Sequence, residues 1–108
     1  MNIWLDDIRP LPVVYRDMTN WIVCTTGEQA LEQIKTGQVK FISFDHDLGL
    51  GITGYDVAKY IEEKASQGQL NKIEYQIHSA NIVGRKNIEI AMNNAYSYWD
   101  QEEPPFYG

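Results

Sequence analysis

The chain has 108 residues, 44% hydrophobic and 12% aromatic, which is enough for one hydrophobic core and too few for two domains of ordinary size. Nine Lys and Arg against fifteen Asp and Glu give a formal net charge of −6, which argues against a broad basic face for extended nucleic acid. A single cysteine excludes an internal disulfide, no apolar run approaches the ~18 residues of a membrane span, and the N-terminus lacks a signal-peptide layout, so a cytoplasmic protein without membrane association is expected.

In chain order, Asn2 to Leu5 is a short apolar run that reads as a buried strand and ends at Asp6-Asp7. Pro10 and Pro12 then disfavour a regular helix, leaving an irregular or shortened crossover with one short turn near Val13 to Asp17. Trp21 to Cys24 is a second buried strand, and Cys24 within it reads as a small hydrophobe rather than a nucleophile. Ala30, Leu31 and Ile34 keep helical spacing, Thr26 and Gln29 are placed as a capping box, and Gly37 is a stop signal, which predicts a helix from about Gly27 to Lys35. Val39 to Phe44 is a third strand, delivering Asp45-His46-Asp47 into a loop with Gly49, Gly51 and Gly54, glycines suited to turning the backbone.

Thr53 and Asp56 open another helix, with Val57, Ala58, Ile61 and Ala65 on one face and Gly68 past its end. Ile73 to Ile77 alternates as a fourth strand with one face less buried, ending at His78-Ser79-Ala80-Asn81. Ile88, Ala91, Met92, Ala95 and Trp99 follow helical spacing, and from about Asp100 to Gly108 an irregular tail carries Pro104 and Pro105. The order predicts one α/β domain over 1–108, with a mainly parallel sheet of about four strands.

In such a sheet the carboxyl ends of the strands share one edge, so Asp6, Asp7, Asp45, His46, Asp47, His78, Ser79 and Asn81 are expected to converge there. Hard divalent cations take oxygen ligands, which makes Asp6, Asp7 and Asp45 the expected set for Mg²⁺ or Mn²⁺ beside a phosphorylated ligand. Each residue also has a plainer reading. Adjacent Asp residues after a strand often cap or turn the chain, Asp47 can shape its loop, and His78 can be a core histidine with a fixed hydrogen bond. Arg85 and Lys86 can simply be solvated, although Arg85 near a helix start also suits an anion. Arg9 can clamp a phosphate or pair with Asp47. Trp4, Trp21 and Trp99 read as core.

Four separated segments, LDDIRPLP, ISFDHDLG, TGYDVAKYI and HSANIVGRKN, together resemble the cyclic-phosphate processing receiver domain, a variant of the response-regulator receiver domain. The resemblance implies a small receiver-like (flavodoxin-like) three-layer fold with a shortened first crossover. In ordinary receivers the Asp pair binds Mg²⁺, the later Asp accepts phosphate and a Ser or Thr contacts the phosphoryl group, which carries over to Asp6, Asp7, Asp45 and Ser79. A fifth strand carrying the receiver lysine is not evident, and His46 and His78 are additions.

The resemblance implies hydrolysis of a cyclic phosphate or cyclic nucleotide, by a candidate metal-dependent phosphodiesterase or phosphohydrolase. In that scheme His46, His78 and Asp45 are catalytic, histidine being the residue type whose ordinary range suits proton transfer near neutral pH, while Arg9, Ser79, Asn81 and Arg85 bind substrate. Two alternatives stand beside it: a receiver-like module that accepts phosphate or binds a ligand without turnover, and a degenerate receiver acting through a protein partner, with the Pro-Pro-Phe-Tyr tail as a contact surface.

Overall fold

The structure, a computed structural model, describes residues 1–18 and 20–100. Four strands, β1 (Asn2–Leu5), β2 (Trp21–Cys24), β3 (Phe41–Phe44) and β4 (Glu74–Ile77), form one sheet in the order β2-β1-β3-β4. Every pairing is parallel, with Leu5 level with Cys24 and Phe44, and Phe44 level with Ile77. All four strands therefore end along one line, and the polar segments that follow them share one edge. The third strand starts two residues later than its apolar run and the fourth one later, although Val39 and Ile73 are both buried just ahead of them.

The register sorts the strand residues into two sets, because successive side chains point to opposite faces. One face carries Ile3, Leu5, Ile22, Cys24, Ile42, Phe44, Tyr75 and Ile77, and it forms one cluster with α2 (Gly27–Ile34), α3 (Gly54–Ser66) and α4 (Ile82–Trp99). Ala30 and Ile34, Val57, Ala58 and Ile61, and Ile88, Ala91 and Met92 are the helical contributions. Cys24 lies in this core, where burial pushes its thiol up to about 11, so it packs as a hydrophobe.

The opposite face carries Trp4, Trp21, Phe41, Ser43 and Gln76, and among the described helices the short α1 (Val13–Arg16) is the one that lies on it. Pro12 stands at the N-cap of that single turn, where its ring limits extension backwards. Tyr15 of α1 stacks on Trp21 with ring centroids 4.5 Å apart. The fold is thus α/β and receiver-like, with the second helical layer reduced to one turn. β2 lies at the sheet edge and is less buried than its apolar sequence predicts, with Val23 exposed.

Local signals account for the long helices. Thr53 Oγ1 accepts from the Asp56 N–H while Asp56 Oδ2 accepts from the Thr53 N–H, a complete capping box. At α2 only half of the expected box forms: Thr26 Oγ1 accepts from the Gln29 N–H, but Gln29 Oε1 takes the N–H of Thr25 rather than of Thr26. Of the irregular tail expected from about Asp100 to Gly108, Asp100 stands at the C-cap of α4, and 101–108 lie outside the described residues. No helix among the described residues is long and apolar enough to cross a membrane.

Candidate functional site

Asp6, Asp7 and Asp45 each bring one carboxylate oxygen to within 4.8 Å of the others at the carboxyl edge of the central strands. Asp6 is the fixed member, almost fully buried. Its Oδ1 accepts from the backbone N–H groups of Ile8 and Arg9 at 2.8 and 2.7 Å, folding the chain after β1 into a tight turn. The turn reading and the ligand reading of Asp6 are therefore compatible, since Oδ1 shapes the loop and the carboxylate still faces its two neighbours. Burial pushes the Asp45 carboxyl upward, the negative charge of Asp6 adds to this, and the N–H of His46 on Asp45 Oδ1 partly opposes it.

A chain of side chains on the sparsely covered face ends on Asp6. Gln76 donates to Ser43 Oγ at 2.9 Å, which leaves the Ser43 hydroxyl proton for His78 Nδ1 at 2.8 Å. The Nε2–H of His78 then donates to Asp6 Oδ2 at 2.9 Å. The imidazole lies flat on Trp4, with centroids 3.9 Å apart and planes 5° from parallel. Burial pulls the His78 ring below its ordinary range despite the opposing pull of Asp6, so the ring is neutral at pH 7 with its proton on Nε2. Trp4 also donates Nε1 to the carbonyl of Arg9, and Arg9 Nη1 donates to the carbonyl of His78. The loop after β1 is thereby tied to the end of β4.

His46 is held in a different way. Its Nδ1 lies 2.9 Å from Asp47 Oδ1, and its ring rests on Gly84, where any Cβ would overlap Cγ, Cδ2 and Nδ1 of the imidazole. Gly54 has a similar purpose, since a Cβ there would overlap the Asp45 carbonyl, while its N–H donates to the carbonyl of His46. Asn81 caps α4 through Oδ1 on the Gly84 N–H, and its amide Nδ2 reaches Asp47 at 3.3 Å. The hydrogen bonds from His46 and Asn81 hold the Asp47 carboxyl below the usual carboxylate range.

A cavity of about 220 Å³ opens between these groups, lined by Asp6, Asp7, Arg9, Asp45, Asp47, Ser79 and Asn81 together with Ile8 and Ala80. Seven of the nine residues singled out as metal-binding, catalytic or substrate-binding converge as follows: Asp6, Asp7, Asp45, Arg9, Ser79 and Asn81 line the cavity, and His78 stands directly behind Asp6. His46 stands behind Asp47. Arg85 turns away, its Nη1 donating to the carbonyls of Ile77 and Ser79. Arg9 makes no ion pair with Asp47 among the described residues and is the only cationic side chain in the lining.

Trp4, Ser43 and Gln76 were not singled out from the sequence. A signal for two of them was present, since Ser43 is a polar residue inside an apolar strand and Gln76 falls on the same face two strand positions before His78.

A parallel α/β sheet with three carboxylates and a serine at its carboxyl edge defines the receiver-like class. The chain belongs to the cyclic-phosphate processing receiver domain family, whose family model matches residues 1–94. Comparison with curated proteins and with solved structures gave no match.

Proposed function

We propose that the protein hydrolyses a small cyclic phosphate at a divalent-cation centre formed by Asp6, Asp7 and Asp45. The observation that carries this reading is the approach of three carboxylate oxygens within 4.8 Å in a chain of this family. An all-oxygen donor set of this kind fits a hard ion such as Mg²⁺ or Mn²⁺, and nothing in it favours a soft metal. When bound, such an ion would supply charge neutralisation at the phosphoryl oxygens and a lowered pKa for water.

The chain's own residues divide the remaining work. Ser79 and the Asn81 amide donate hydrogen bonds to phosphoryl oxygens, and Arg9 supplies the positive charge at the mouth. Water adds to phosphorus, one ring P–O bond breaks, and the released oxygen takes a proton, giving a phosphomonoester. His46 is the group assigned to proton movement: Asp47 fixes Nδ1, which leaves Nε2 to accept and return the proton. His78 has partners on both nitrogens, so its part is to hold Asp6 in place. A cavity of about 220 Å³ is smaller than the ~300–1,000 Å³ of pockets that enclose a drug-sized ligand, so it takes the cyclic phosphate while the remainder lies outside.

Phosphorus NMR on a panel of cyclic phosphates and cyclic nucleotides, with Mg²⁺ or Mn²⁺ and with chelator, tests the reading. Expected are turnover lost in chelator and in Asp45→Asn. His46→Gln should lower kcat ~10²-fold or more at unchanged ion affinity, whereas His78→Gln should weaken ion binding ~10–100-fold. Hydrolysis that survives both chelator and Asp45→Asn would overturn it.

The second reading, phosphorylation of Asp45, is favoured by the Asp45 and Ser79 pair in one cavity. Against it, four strands and no cavity lysine are present among the described residues, where a receiver expects a fifth strand with a lysine. Intact mass after incubation with a small phosphodonor and Mg²⁺ separates the two, since only this reading predicts a gain of one phosphoryl group.

A further inference from the structure

The acidic cavity of about 220 Å³ leaves the organic part of a cyclic phosphate outside, and the surface at its mouth is apolar. Leu50, Ile8 and Ile82 are the three most exposed large hydrophobic side chains among the described residues, at 96, 85 and 81%. Apolar residues scattered singly on a surface need no explanation. These three stand on three different segments, and all three segments wall the same cavity. Ile8 lines it. Ile82, the first residue of α4, follows Asn81, which lines it too. Leu50 belongs to the loop after β3, which passes beside Asp7: a Cβ on Gly49 would stand 3.3 Å from Asp7 Oδ2. None of the three belongs to the hydrophobic core or packs against it, so folding does not account for them.

The charges around this apolar collar are mostly negative. Asp7 and Asp47 line the cavity, and Glu28 of α2 flanks the same loop from its other side, with Oε2 3.1 Å from a Cβ placed on Gly51. Arg9 is the one cationic side chain in the lining. A ligand with further phosphates beyond the cyclic ester therefore meets repulsion at the mouth, whereas an uncharged ring meets apolar side chains that gain by losing contact with water.

We propose that Ile8, Leu50 and Ile82 are specificity-determining residues that seat an uncharged ring carried by the substrate. The inference rests on the cyclic-phosphate reading of the acidic cavity and narrows it: the favoured substrates are monomeric cyclic phosphates bearing one ring the size of a nucleobase. Small polyol cyclic phosphates lack the ring, and oligonucleotide ends add phosphates, so both are disfavoured. The collar stands outside the carboxylate cluster and touches no reacting atom. Its contacts are made equally in the ground state and the transition state, so their loss raises KM rather than lowering kcat.

The test compares three probes on the full chain with Mg²⁺ or Mn²⁺: the cyclic monophosphates of adenosine and of glycerol, and an adenosine dinucleotide ending in a cyclic phosphate. Turnover is read by phosphorus NMR, and binding by the methyl resonances of Ile8, Leu50 and Ile82. Expected is a kcat/KM for the adenosine monomer about ten-fold or more above that of either other probe. A Leu50→Ser, Ile82→Ser double variant should remove most of that preference through KM, and both positions are exposed, so the core is untouched. The three methyl groups should shift with the adenosine monomer and not with the glycerol ester. Methyl shifts of that pattern without turnover of any probe would sink the hydrolysis reading and leave the collar as a binding element. Turnover with equal kcat/KM for monomer and glycerol ester, or a preference that survives in the double variant, would overturn the collar alone. Faster turnover of the dinucleotide than of the monomer would overturn it as well. Methyl groups unmoved by every probe would overturn it in favour of a protein contact at this edge.

Discussion

The two faces of the sheet are built from different chemistry. Under the three longer helices lie Ile3, Leu5, Ile42 and Phe44, all fully buried. The other face alternates bulk with hydrogen bonding: Trp4 and Trp21 beside Ser43, Gln76 and, just past the strand end, His78. Burial of apolar area holds the first face together, while the second has side chains that reach the acidic edge. Stability and site geometry are therefore assigned to opposite sides of one four-stranded sheet.

The largest expected effect comes from the covered face. Phe44→Ala removes a fully buried ring and should cost about 3–5 kcal/mol, a large part of the stability of a small domain. Trp21→Ala removes a larger ring, yet one that is only partly buried, and should cost about 1–2 kcal/mol. Urea denaturation of both full-length variants gives the comparison directly. Equal costs would break the division between faces.

An intermediate effect is expected at Ser43, which is completely buried. Ser43→Ala leaves His78 Nδ1 and Gln76 Nε2 facing each other's surroundings without the hydroxyl that joined them, at a cost of about 1–3 kcal/mol. If the open face serves the site, this variant should also weaken Mg²⁺ binding, measured by calorimetry, whereas Phe44→Leu should not. A Ser43→Ala protein with unaltered ion affinity would sever the link between face and site.

Legibility from sequence followed the same division. The covered face was readable because its residues obey strand and helix periods: Val57, Ala58 and Ile61 are buried on α3 as their spacing predicts. The convergence of Asp6, Asp7 and Asp45 was readable too, since parallel strands bring their carboxyl ends to one edge. The support behind them was not. Whether Trp4 stacks on His78, or Gln76 meets Ser43, depends on strand order, and β1 lies between β2 and β3 for reasons that no local pattern carries. The reduced second layer was visible only indirectly, as Pro10 and Pro12 in the first crossover.

The smallest effects are two titrations that act from opposite sides of the pH scale. His78 has a folded pKa below its ordinary 6.5, so its neutral form is the one the fold favours. Its contribution is complete above about pH 6.5 and is lost as pH falls through the folded value, because the unfolded chain then binds the extra proton. Asp45 has a folded pKa above its ordinary 3.8, so its contribution is complete below about pH 3.8 and is lost as pH rises through the folded value. Without divalent ions, His78→Gln should flatten the acid side of the stability curve, and Asp45→Asn should remove the loss on the rising side. Adding Mg²⁺ distinguishes them further. An ion held by Asp6, Asp7 and Asp45 favours ionised Asp45 and cancels its loss, and it should leave the arm due to His78 in place, since that arm arises from burial against Trp4. Stability curves that Mg²⁺ does not change at neutral pH would remove the ion from the acidic edge and leave Asp45 as a carboxyl raised by burial first and by the charge of Asp6 second.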